Sequence, residues 1–457
     1  MPSWFSAAVA TGCLLGTLLT THAAEHGRPN VVLIISDDQS WSDYGFMKHD
    51  VIRTPHLDRL ARQSALFTRG YVPTSLCRPS LATIITGLYP HQHKITGNDP
   101  ALLRNAQGQP DRSSPAYQAL RQKLISHIDD LPTLPRLLAG QQYRSHQSGK
   151  WWEGHFTRGG FTHGMTHGDP SRRGRHGDQG LTIGREGLKP VLDFIDASGE
   201  QPFFVWYAPF LPHTPHNPPA RLLNKYKQAD RPLPLARYYA MCEWFDETCG
   251  TLLEHLDRKG LSDNTLVVYV TDNGWIQRTK DTKTPAGWRT GFAPRSKQSP
   301  NEGGVRTPIM LRWPGRIKPQ NFPTLASSVD LAPTILAACG LPPHPSMSGI
   351  NLLDVCDGKP TPRNTIFGEV FAHDIVDIDN PSRSALYRWC VQGRWKLILT
   401  DNGKVGRYRV VHPRTNRNPQ LYDLLADPHE TQDLAAQHPQ RTQSLSRALN
   451  GWWRPTD

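Results

Sequence analysis

The segment Asn30-Val31-Val32-Leu33-Ile34-Ile35-Ser36-Asp37-Asp38 indicates the class of fold that this sequence adopts. Its first seven residues form a short, continuous apolar run, which is typical of a strand buried on both faces of a parallel sheet. Two adjacent carboxylates follow at once, and burying both is unfavourable unless a positive group lies between them. Because ligands of open α/β sheets bind outside such strand ends, the pair predicts a metal site. Two helix-capping carboxylates on a loop are the alternative interpretation.

Strand-like and helix-like segments alternate along most of the sequence. This pattern predicts an α/β fold with a large, mostly parallel or mixed sheet flanked by helices. Besides residues 30–36, the predicted strands are residues 143–147, 202–207, 266–271 and 309–312, and the predicted helices are residues 54–67, 131–139, 188–197, 238–259 and 329–339. From about Asn364, short strands and a final helix predict a smaller C-terminal α+β subdomain. The predicted organisation is a signal peptide at 1–24, a catalytic domain at 25–360 and the subdomain at 361–457.

The first 24 residues have the composition of a secretory signal peptide. The segment from Ala7 to Leu19 is apolar, and Ala23 and Ala24 are small residues suitable for cleavage. No Lys or Arg precedes the apolar segment, so an N-terminal membrane anchor is the alternative. No other stretch approaches the roughly 20 apolar residues of a spanning helix. The sequence therefore predicts a secreted or periplasmic protein with no transmembrane domain.

The chain is basic, with a formal net charge of +12 at pH 7. A basic surface attracts nucleic acid, anionic lipid or acidic substrates. Here the basic residues are spread along the chain and form no block like a nucleic-acid-binding tail. We therefore expect no nucleic-acid partner and favour an anionic small molecule or polysaccharide, although solubility alone would also account for the charge.

The segment from Cys77 to Gly87, CRPSLATIITG, predicts a short helix that begins at its cysteine. Pro79 is tolerated in a first helical turn, and Gly87 is a suitable stop. Cys77 should then lie where backbone N–H groups and the helix dipole favour a bound anion. The seven cysteines have irregular spacing and form no disulfide framework. Cys77 is therefore expected to be free for chemistry, with an ordinary half-buried thiol as the alternative.

Polar side chains follow three of the predicted strands, and parallel strands bring such ends to one sheet edge. The oxygen ligands in these segments are Asp37, Asp38, Asp272 and Asn273. An all-oxygen set suits calcium or magnesium and not zinc. Lys150, His213 and Lys297 would add positive charge beside the metal. A cation, two lysines and a helix N-terminus together are typical of a pocket that binds a tetrahedral oxyanion.

From about Pro29 to the C-terminus, the chain resembles the sulfatase family of the alkaline phosphatase superfamily. The matching motifs, in chain order, are Pro29-Asn30-Val31 through Asp37-Asp38-Gln39, Cys77-x-Pro79-Ser80, Thr86-Gly87, Gly149-Lys150-Trp151, Pro212-His213-Thr214-Pro215, Thr271-Asp272-Asn273-Gly274, Glu302-Gly303-Gly304-Val305-Arg306, and Leu421-Tyr422-Asp423-Leu424 with Asp427-Pro428. Each motif is modest alone, but their common order argues against chance.

The resemblance implies an alkaline phosphatase-like fold and hydrolysis of a sulfate ester, expected on a sulfated sugar. A dedicated formylglycine-generating enzyme would oxidise Cys77 to formylglycine, whose hydrate attacks sulfur. The resemblance further implies that one calcium ion, with magnesium less favoured, is held by Asp37, Asp38, Cys77, Asp272 and Asn273. The implied catalytic residues are Cys77, Lys150, His213 and Lys297. Both lysines would bind sulfate oxygens, and the histidine would protonate the leaving alcohol.

Two positions depart from the family pattern. The arginine usual four residues after the cysteine is Leu81, and the histidine usual after Gly-Lys-Trp is Trp152, which cannot accept a proton. Arg78 shares a helix face with position 81, so it is a candidate substitute and substrate contact. The candidate replacements for the missing histidine are His155, His163 and His176.

Two other functions are compatible with the same residues. A phosphoester or phosphonate monoester hydrolase would use the same pocket, with Cys77 converted or not. A non-catalytic relative that binds sulfated glycans would fit the net charge of +12 equally well. In each case the substrate or ligand subsites are expected in the loops at 153–180 and 275–300, because long loops in compact domains are often functional.

Overall fold

A computed structural model describes residues 1–2, 28–169, 174–361, 363–406, 408–414 and 417–456. The described chain forms a large mixed sheet with helices on both faces and a smaller antiparallel sheet near the C-terminus. The predicted fold class is therefore confirmed. Apart from its first two residues, the predicted signal peptide lies outside the described residues. The boundaries at 25–360 and 361–457 stay predictions.

The strands are β1 (Asn30–Ser36), β2 (Ala65–Tyr71), β3 (Asp99–Pro100), β4 (Arg144–Gly149), β5 (His163–Gly164), β6 (Phe203–Ala208), β7 (Thr265–Thr271), β8 (Arg306–Arg312), β9 (Gln320–Phe322), β10 (Ala326–Ser327), β11 (Thr365–Phe371), β12 (Asp374–Ile375), β13 (Ala385–Gln392), β14 (Trp395–Thr400) and β15 (Gln420–Asp423). The helices are α1 (Pro55–Arg62), α2 (Cys77–Thr86), α3 (Pro90–His93), α4 (Pro115–Ser126), α5 (Leu134–Ala139), α6 (Lys189–Ser198), α7 (Ala220–Tyr226), α8 (Leu233–Arg258), α9 (Glu302–Val305), α10 (Leu331–Ala338), α11 (Leu352–Cys356) and α12 (Pro439–Trp452).

The large sheet has the strand order β10-β2-β8-β7-β1-β6-β4-β5, with β9 paired to β2. Strand β1 lies at its centre, parallel to both β6 and β7. Strand β8 is antiparallel to both of its neighbours, β7 and β2, which makes the sheet mixed. In the β1–β7 register Ser36 pairs with Thr271, so the next residues, Asp37 and Asp272, leave the sheet side by side.

The alternating side chains of β1 face two separate hydrophobic cores. Val31, Leu33 and Ile35 belong to the core that includes residues of α2, α5 and α10. Val32 and Ile34 belong to the core that includes residues of α1, α6 and α8. Because both faces of β1 are covered, its sequence is a continuous apolar run with no polar alternation. This double burial holds the carboxyl end of β1 in a fixed position.

Helix α2 begins at Cys77 and ends before Gly87, as predicted. Gly87 has φ of 69°, a left-handed conformation that favours glycine, and its N–H donates to the Thr83 carbonyl. All ten residues of the helix are buried. Cys77 is therefore fixed by a fully packed helix and is one of six described cysteines that are free thiols.

Two predicted helices have different bounds in the structure. The helix predicted at 54–67 ends at Arg62, and Ala65, Leu66 and Phe67 belong to β2. Ala65 and Phe67 enter one core and Leu66 the other, an alternation that suits a strand and not a helix. The helix predicted at 238–259 is α8, which begins earlier, at Leu233. The helix can include Pro234 because this residue lies in the first turn, where a missing backbone N–H costs no hydrogen bond.

The smaller sheet, β11-β13-β14-β15, contacts the large domain through a buried charge cluster. Lys396 of β14 lies 2.9 Å from Glu302 Oε1 and 3.1 Å from Glu430 Oε1. Glu302 also accepts a hydrogen bond from Tyr71 Oη at 3.0 Å. The two parts of the chain are therefore joined next to the segment that carries Lys297. No helix in the described part of the chain is both long and apolar enough to cross a membrane.

Candidate active site

The carboxyl ends of three parallel strands of the large sheet, β7, β1 and β4, lie beside the N-terminus of α2. Asp37 and Asp38 follow β1, and Asp272 follows β7. Lys150 follows β4, and its N–H donates to the Ala208 carbonyl at 2.7 Å. The structure thus brings together residues that are far apart in the sequence, as expected for strand ends at one sheet edge.

Two buried lysines lie against the aspartates and the cysteine. Lys150 Nζ donates to Asp37 Oδ1 at 2.8 Å. Lys297 Nζ lies 2.5 Å from Asp38 Oδ1 and 3.0 Å from Cys77 Sγ. Each of these side chains is at most 8% exposed, so water screens their charges little. Both ammonium groups are therefore placed to attract an anion at Cys77.

The carboxylates and the neighbouring amide are oriented for a cation. Asp272 Oδ1 accepts hydrogen bonds from the Asp38 and Asn273 N–H groups at 3.1 and 2.6 Å. Asn273 Nδ2 donates to Asp38 Oδ1 at 2.6 Å. Asp272 Oδ2 and Asn273 Oδ1 are buried without a hydrogen-bond partner among the described residues, whereas Asp37 Oδ2 lies 2.7 Å from Lys150 Nζ and Asp38 Oδ2 lies 3.3 Å from His213 Nε2. Because unpaired buried oxygens are unfavourable, this donor set fits a hard, oxygen-binding metal ion.

His213 belongs to the same cluster and lies beside Asp38. Its Nε2 is 3.3 Å from Asp38 Oδ2, and its Nδ1 is 2.6 Å from the Thr214 carbonyl. The carbonyl can only accept, so Nδ1 carries the proton and Nε2 faces the site. Burial, with the nearby Lys150 and Lys297 charges, holds the pKa of His213 well below its usual value. Without an added anion the imidazole is therefore neutral.

Burial also favours the neutral forms of the other groups in the site. It raises the pKa of the Cys77 thiol to about 12, although Lys150 and Lys297 oppose the shift. It also raises the pKa of Asp37 well above its usual range, against Lys150, and Asp272 adds to the increase. The thiol is therefore protonated at neutral pH, and the crowded carboxylates are unfavourable without a further cation.

A cavity of about 390 Å³ opens above Cys77. Lys150, His213 and Lys297 line it, together with Trp152, which is 4% exposed. The remaining lining residues are Asn98, Arg175, His176, Thr214, Trp275, Arg289, Thr290, Gly291, Phe292, Gln298, His373 and Tyr408. The loops at 153–180 and 275–300, where subsites were predicted, thus both contribute to its wall.

Among the three candidate loop histidines, only His176 lines this cavity. Its ring centroid lies 5.2 Å from that of Trp152, and its carbonyl accepts a hydrogen bond from Trp151 N–H at 3.3 Å. His155 contacts Thr157 at 2.8 Å, and the exposed His163 lies 3.1 Å from Arg144 Nη2. The structure therefore places an imidazole beside the tryptophan that stands in the family histidine's position.

Arg78 does not line the cavity. Its guanidinium donates to Glu153, from Nε to Oε1 at 2.9 Å and from Nη2 to Oε2 at 2.5 Å. Its Nη1 and backbone N donate to the Asn98 carbonyl and Oδ1 at 3.3 and 3.1 Å. Leu81, in the position of the family arginine, packs in the hydrophobic core. This placement does not support the predicted substrate contact, because the guanidinium nitrogens of Arg78 donate to Glu153 and Asn98 within the protein.

Sequence reasoning missed several residues at this site. Glu153 directly follows Trp152, and an acid next to a candidate site was the sequence signal that could have suggested a partner for Arg78. Its burial against Arg78 is seen only in the structure. His373 and Tyr408 reach the cavity from the C-terminal part of the chain, where no motif marked them. Arg175 lies over the Trp152 ring at 4.5 Å and is paired with Asp99.

Comparison with known proteins agrees with this geometry. The chain matches the family described as Sulfatase over residues 29–341 and that described as N-sulphoglucosamine sulphohydrolase, C-terminal, over residues 296–451. An N-acetylgalactosamine-6-O-sulfatase from Bacteroides thetaiotaomicron is 25% identical, over 92% of each chain. Human arylsulfatase A is 27% identical, over 89% of this chain and 83% of its own.

A similar fold occurs in a solved structure, the PsFucS1 sulfatase from Pseudoalteromonas sp. The two structures superpose with a TM-score of 0.67, at 19% identity, over 94% of this chain and 92% of the other. The Sulfatase match alone spans well over half of the sequence. The strand-end carboxylates, the two lysines and the cysteine at the start of α2 thus lie within a known architecture, and the chain belongs to the sulfatase family as a sulfuric ester hydrolase.

Proposed function

We propose that this protein hydrolyses a sulfate ester on a sulfated sugar, with Cys77 converted to formylglycine and one calcium ion bound beside it. The observation that carries the proposal is the position of Cys77 Sγ, 3.0 Å from Lys297 Nζ at the N-terminus of a buried helix. A tetrahedral anion there would meet two ammonium groups and the helix dipole.

The residues fit a calcium ion. Asp272 and Asn273 each present a buried oxygen without a hydrogen-bond partner among the described residues, and the carboxylates of Asp37 and Asp38 lie beside them. Converted Cys77 would add another oxygen. Calcium is favoured over magnesium because the donors are all protein oxygens on fixed strand ends, whereas magnesium usually retains several waters. When bound, the ion would offset negative charge on the sulfate, and the converted residue would supply the oxygen nucleophile.

The chain's own cations would bind and orient the sulfate. Lys297 contacts Cys77 and Lys150 lies near enough for its charge to act on the thiol, so both would hold the sulfate oxygens as their charge changes during the reaction. His213 Nε2 faces the same space and would protonate the leaving alcohol. A bound sulfate adds negative charge beside this imidazole and so favours its protonated form.

His176 is the proposed substitute for the histidine absent at Trp152. Its ring packs against Trp152 and lies 5.5 Å from the ring of Phe210, which also stacks on His213 at 4.4 Å. Two histidines that line the cavity therefore flank one phenylalanine, Phe210. In this role His176 would accept a proton at the stage where sulfate leaves the enzyme.

The sugar class follows from the relatives and from the cavity. The Bacteroides relative is named for an N-acetylgalactosamine 6-O-sulfate. The exposed Arg289 also lines the cavity and adds positive charge to it, which suits a substrate with more than one anionic group. Export to the periplasm or the medium, where such glycans are found, remains part of the proposal.

The direct experiment is expression with a formylglycine-generating enzyme. We expect the peptide that carries Cys77 to have the mass of the aldehyde, and the matured protein to release sulfate from 4-nitrophenyl sulfate and from N-acetylgalactosamine 6-sulfate. Faster turnover of 4-nitrophenyl phosphate or of a phosphonate monoester than of the sulfate would favour the second function. Tight binding of sulfated sugars without turnover, by fully matured protein, would favour the glycan-binding function.

A further inference from the structure

A second basic hollow lies in the C-terminal part of the chain, outside the site described above. It has a volume of about 830 Å³. Five cationic side chains line it, namely Arg383, Arg388, Lys404, Arg417 and Arg454. Asp401 is the only acid among the described lining residues. The hollow is therefore cationic in a chain whose overall charge is already +12.

The charges in this hollow are unequally paired. Asp401 is occupied by Arg388, whose Nε and Nη2 lie 3.0 Å from its oxygens. Among the described residues, no hydrogen bond or ion pair engages the side chains of Arg383, Lys404 and Arg454. All three are exposed. The single carboxylate is thus neutralised in the floor, and three cations remain available at the rim.

The hollow adjoins the active-site cavity. Lys404 lines the hollow and Tyr408 lines the cavity, and four residues span at most about 14 Å. A backbone hydrogen bond of 2.8 Å from Ala372 to Ser384 also connects the two regions. Ala372 precedes His373 of the cavity, and Ser384 follows Arg383 of the hollow. A polymer bound at the active site could therefore reach the hollow.

The lining favours a polyanion without aromatic bases. None of the described lining residues is aromatic, whereas single-stranded nucleic acids are usually bound by stacking on aromatic rings. We propose that this hollow is an accessory subsite for the sulfate groups of an extended sulfated glycan, placed several sugar units from the hydrolysed ester. The proposal rests on the proposed function for the identity of the ligand, but its binding test is independent of catalysis.

The test measures binding of dextran sulfate, with uncharged dextran as the ligand control. The variant carries Arg383→Ser, Lys404→Ser and Arg454→Ser. Because three exposed charge contacts are lost together, we expect its dissociation constant to rise at least about tenfold and its salt dependence to weaken. Turnover of 4-nitrophenyl sulfate and the Tm should stay as in wild type, because these side chains contact neither the active site nor the core.

A matched variant removes three exposed cations of the large domain, Arg62, Arg258 and Lys318, each replaced by serine. It has the same net charge as the first variant, and its affinity for dextran sulfate should change less than threefold. Equal losses in the two variants, or stronger binding of single-stranded DNA than of dextran sulfate, would overturn the proposal. If no sulfate ester is hydrolysed but only the first variant loses binding, the proposed function fails and the subsite stands.

Discussion

The buried pair of Arg78 and Glu153 allows a quantitative prediction. Their side chains are only 3% and 4% exposed, and two parallel hydrogen bonds of 2.9 and 2.5 Å join them. Arg78→Met would leave the Glu153 carboxylate buried without its cation. Removing one partner of such a pair costs about 3–5 kcal/mol, because the remaining charge stays desolvated. The variant should therefore be destabilised by that amount.

The double variant Arg78→Met with Glu153→Leu distinguishes the cause. Replacing both charges by apolar side chains of similar volume is often neutral, so we expect it within about 1 kcal/mol of wild type. The assay is urea unfolding followed by circular dichroism at pH 7, with the free energy taken from linear extrapolation. As a control, Lys189→Met breaks a pair with Asp193 whose side chains are 82% and 59% exposed, and it should cost less than about 0.5 kcal/mol.

Two results would refute this reasoning. One is a loss below about 1 kcal/mol for Arg78→Met, which would mean that water or another cation reaches Glu153. The other is a double variant whose loss of unfolding free energy equals the sum of the losses in Arg78→Met alone and Glu153→Leu alone. Such additivity is typical of independent sites and not of coupled ones. Because Arg78 follows Cys77, the single variant should also lower turnover more than the double variant does.

Three further predictions concern the site. Gly149→Ala should cost at least about 2 kcal/mol and displace Lys150, because φ is +84° and an added Cβ would lie 1.8 Å from the Ala208 carbonyl oxygen. Removing divalent cations with a chelator should lower the Tm. Adding calcium at 100 times its Kd should raise the Tm again and increase the free energy of unfolding by about 2.7 kcal/mol. His176→Gln should reduce turnover by about 10²-fold or more with little change in Tm, whereas His155→Gln should leave turnover within twofold.

Each of these has its own control. Gly108→Ala introduces the same kind of strain at φ of +74°, with nothing within 4 Å of the new Cβ, so a loss equal to that of Gly149→Ala would contradict the steric explanation. A Tm that calcium does not change would argue against the metal site. For His176, the decisive comparison adds Trp152→His to the His176→Gln variant. Partial recovery of turnover would support the proposal that His176 takes the role of the histidine absent at position 152.

The sequence predicted elements whose burial is uniform. Strands β1 and β7 are covered on both faces, so they appear as continuous apolar runs, and α2 is bounded by a proline turn and a glycine. The helix predicted for residues 65–67 was wrong, because these residues form part of β2, whose antiparallel partner is β8, far along the chain. Propensity alone does not reveal such a partner.

The candidate site was predicted more through family resemblance than through spacing. The oxygen donors follow strands that could be recognised locally, whereas the approach of Lys297 to Cys77 joins residues 220 positions apart. The role predicted for Arg78 depended on a shared helix face with Leu81. It could not include Glu153, whose contact is set by how the segment after β4 packs on α2.

The central claim is that the residue at position 77 carries out the reaction within this pocket. The most direct test is kcat/KM for 4-nitrophenyl sulfate, measured for wild type and Cys77→Ala after each is expressed with the same formylglycine-generating enzyme. Since removing a covalent nucleophile costs several orders of magnitude, we predict a loss of at least about 10³-fold with an unchanged Tm. Undiminished sulfate release by Cys77→Ala would contradict the account, even if the enzyme is a sulfatase.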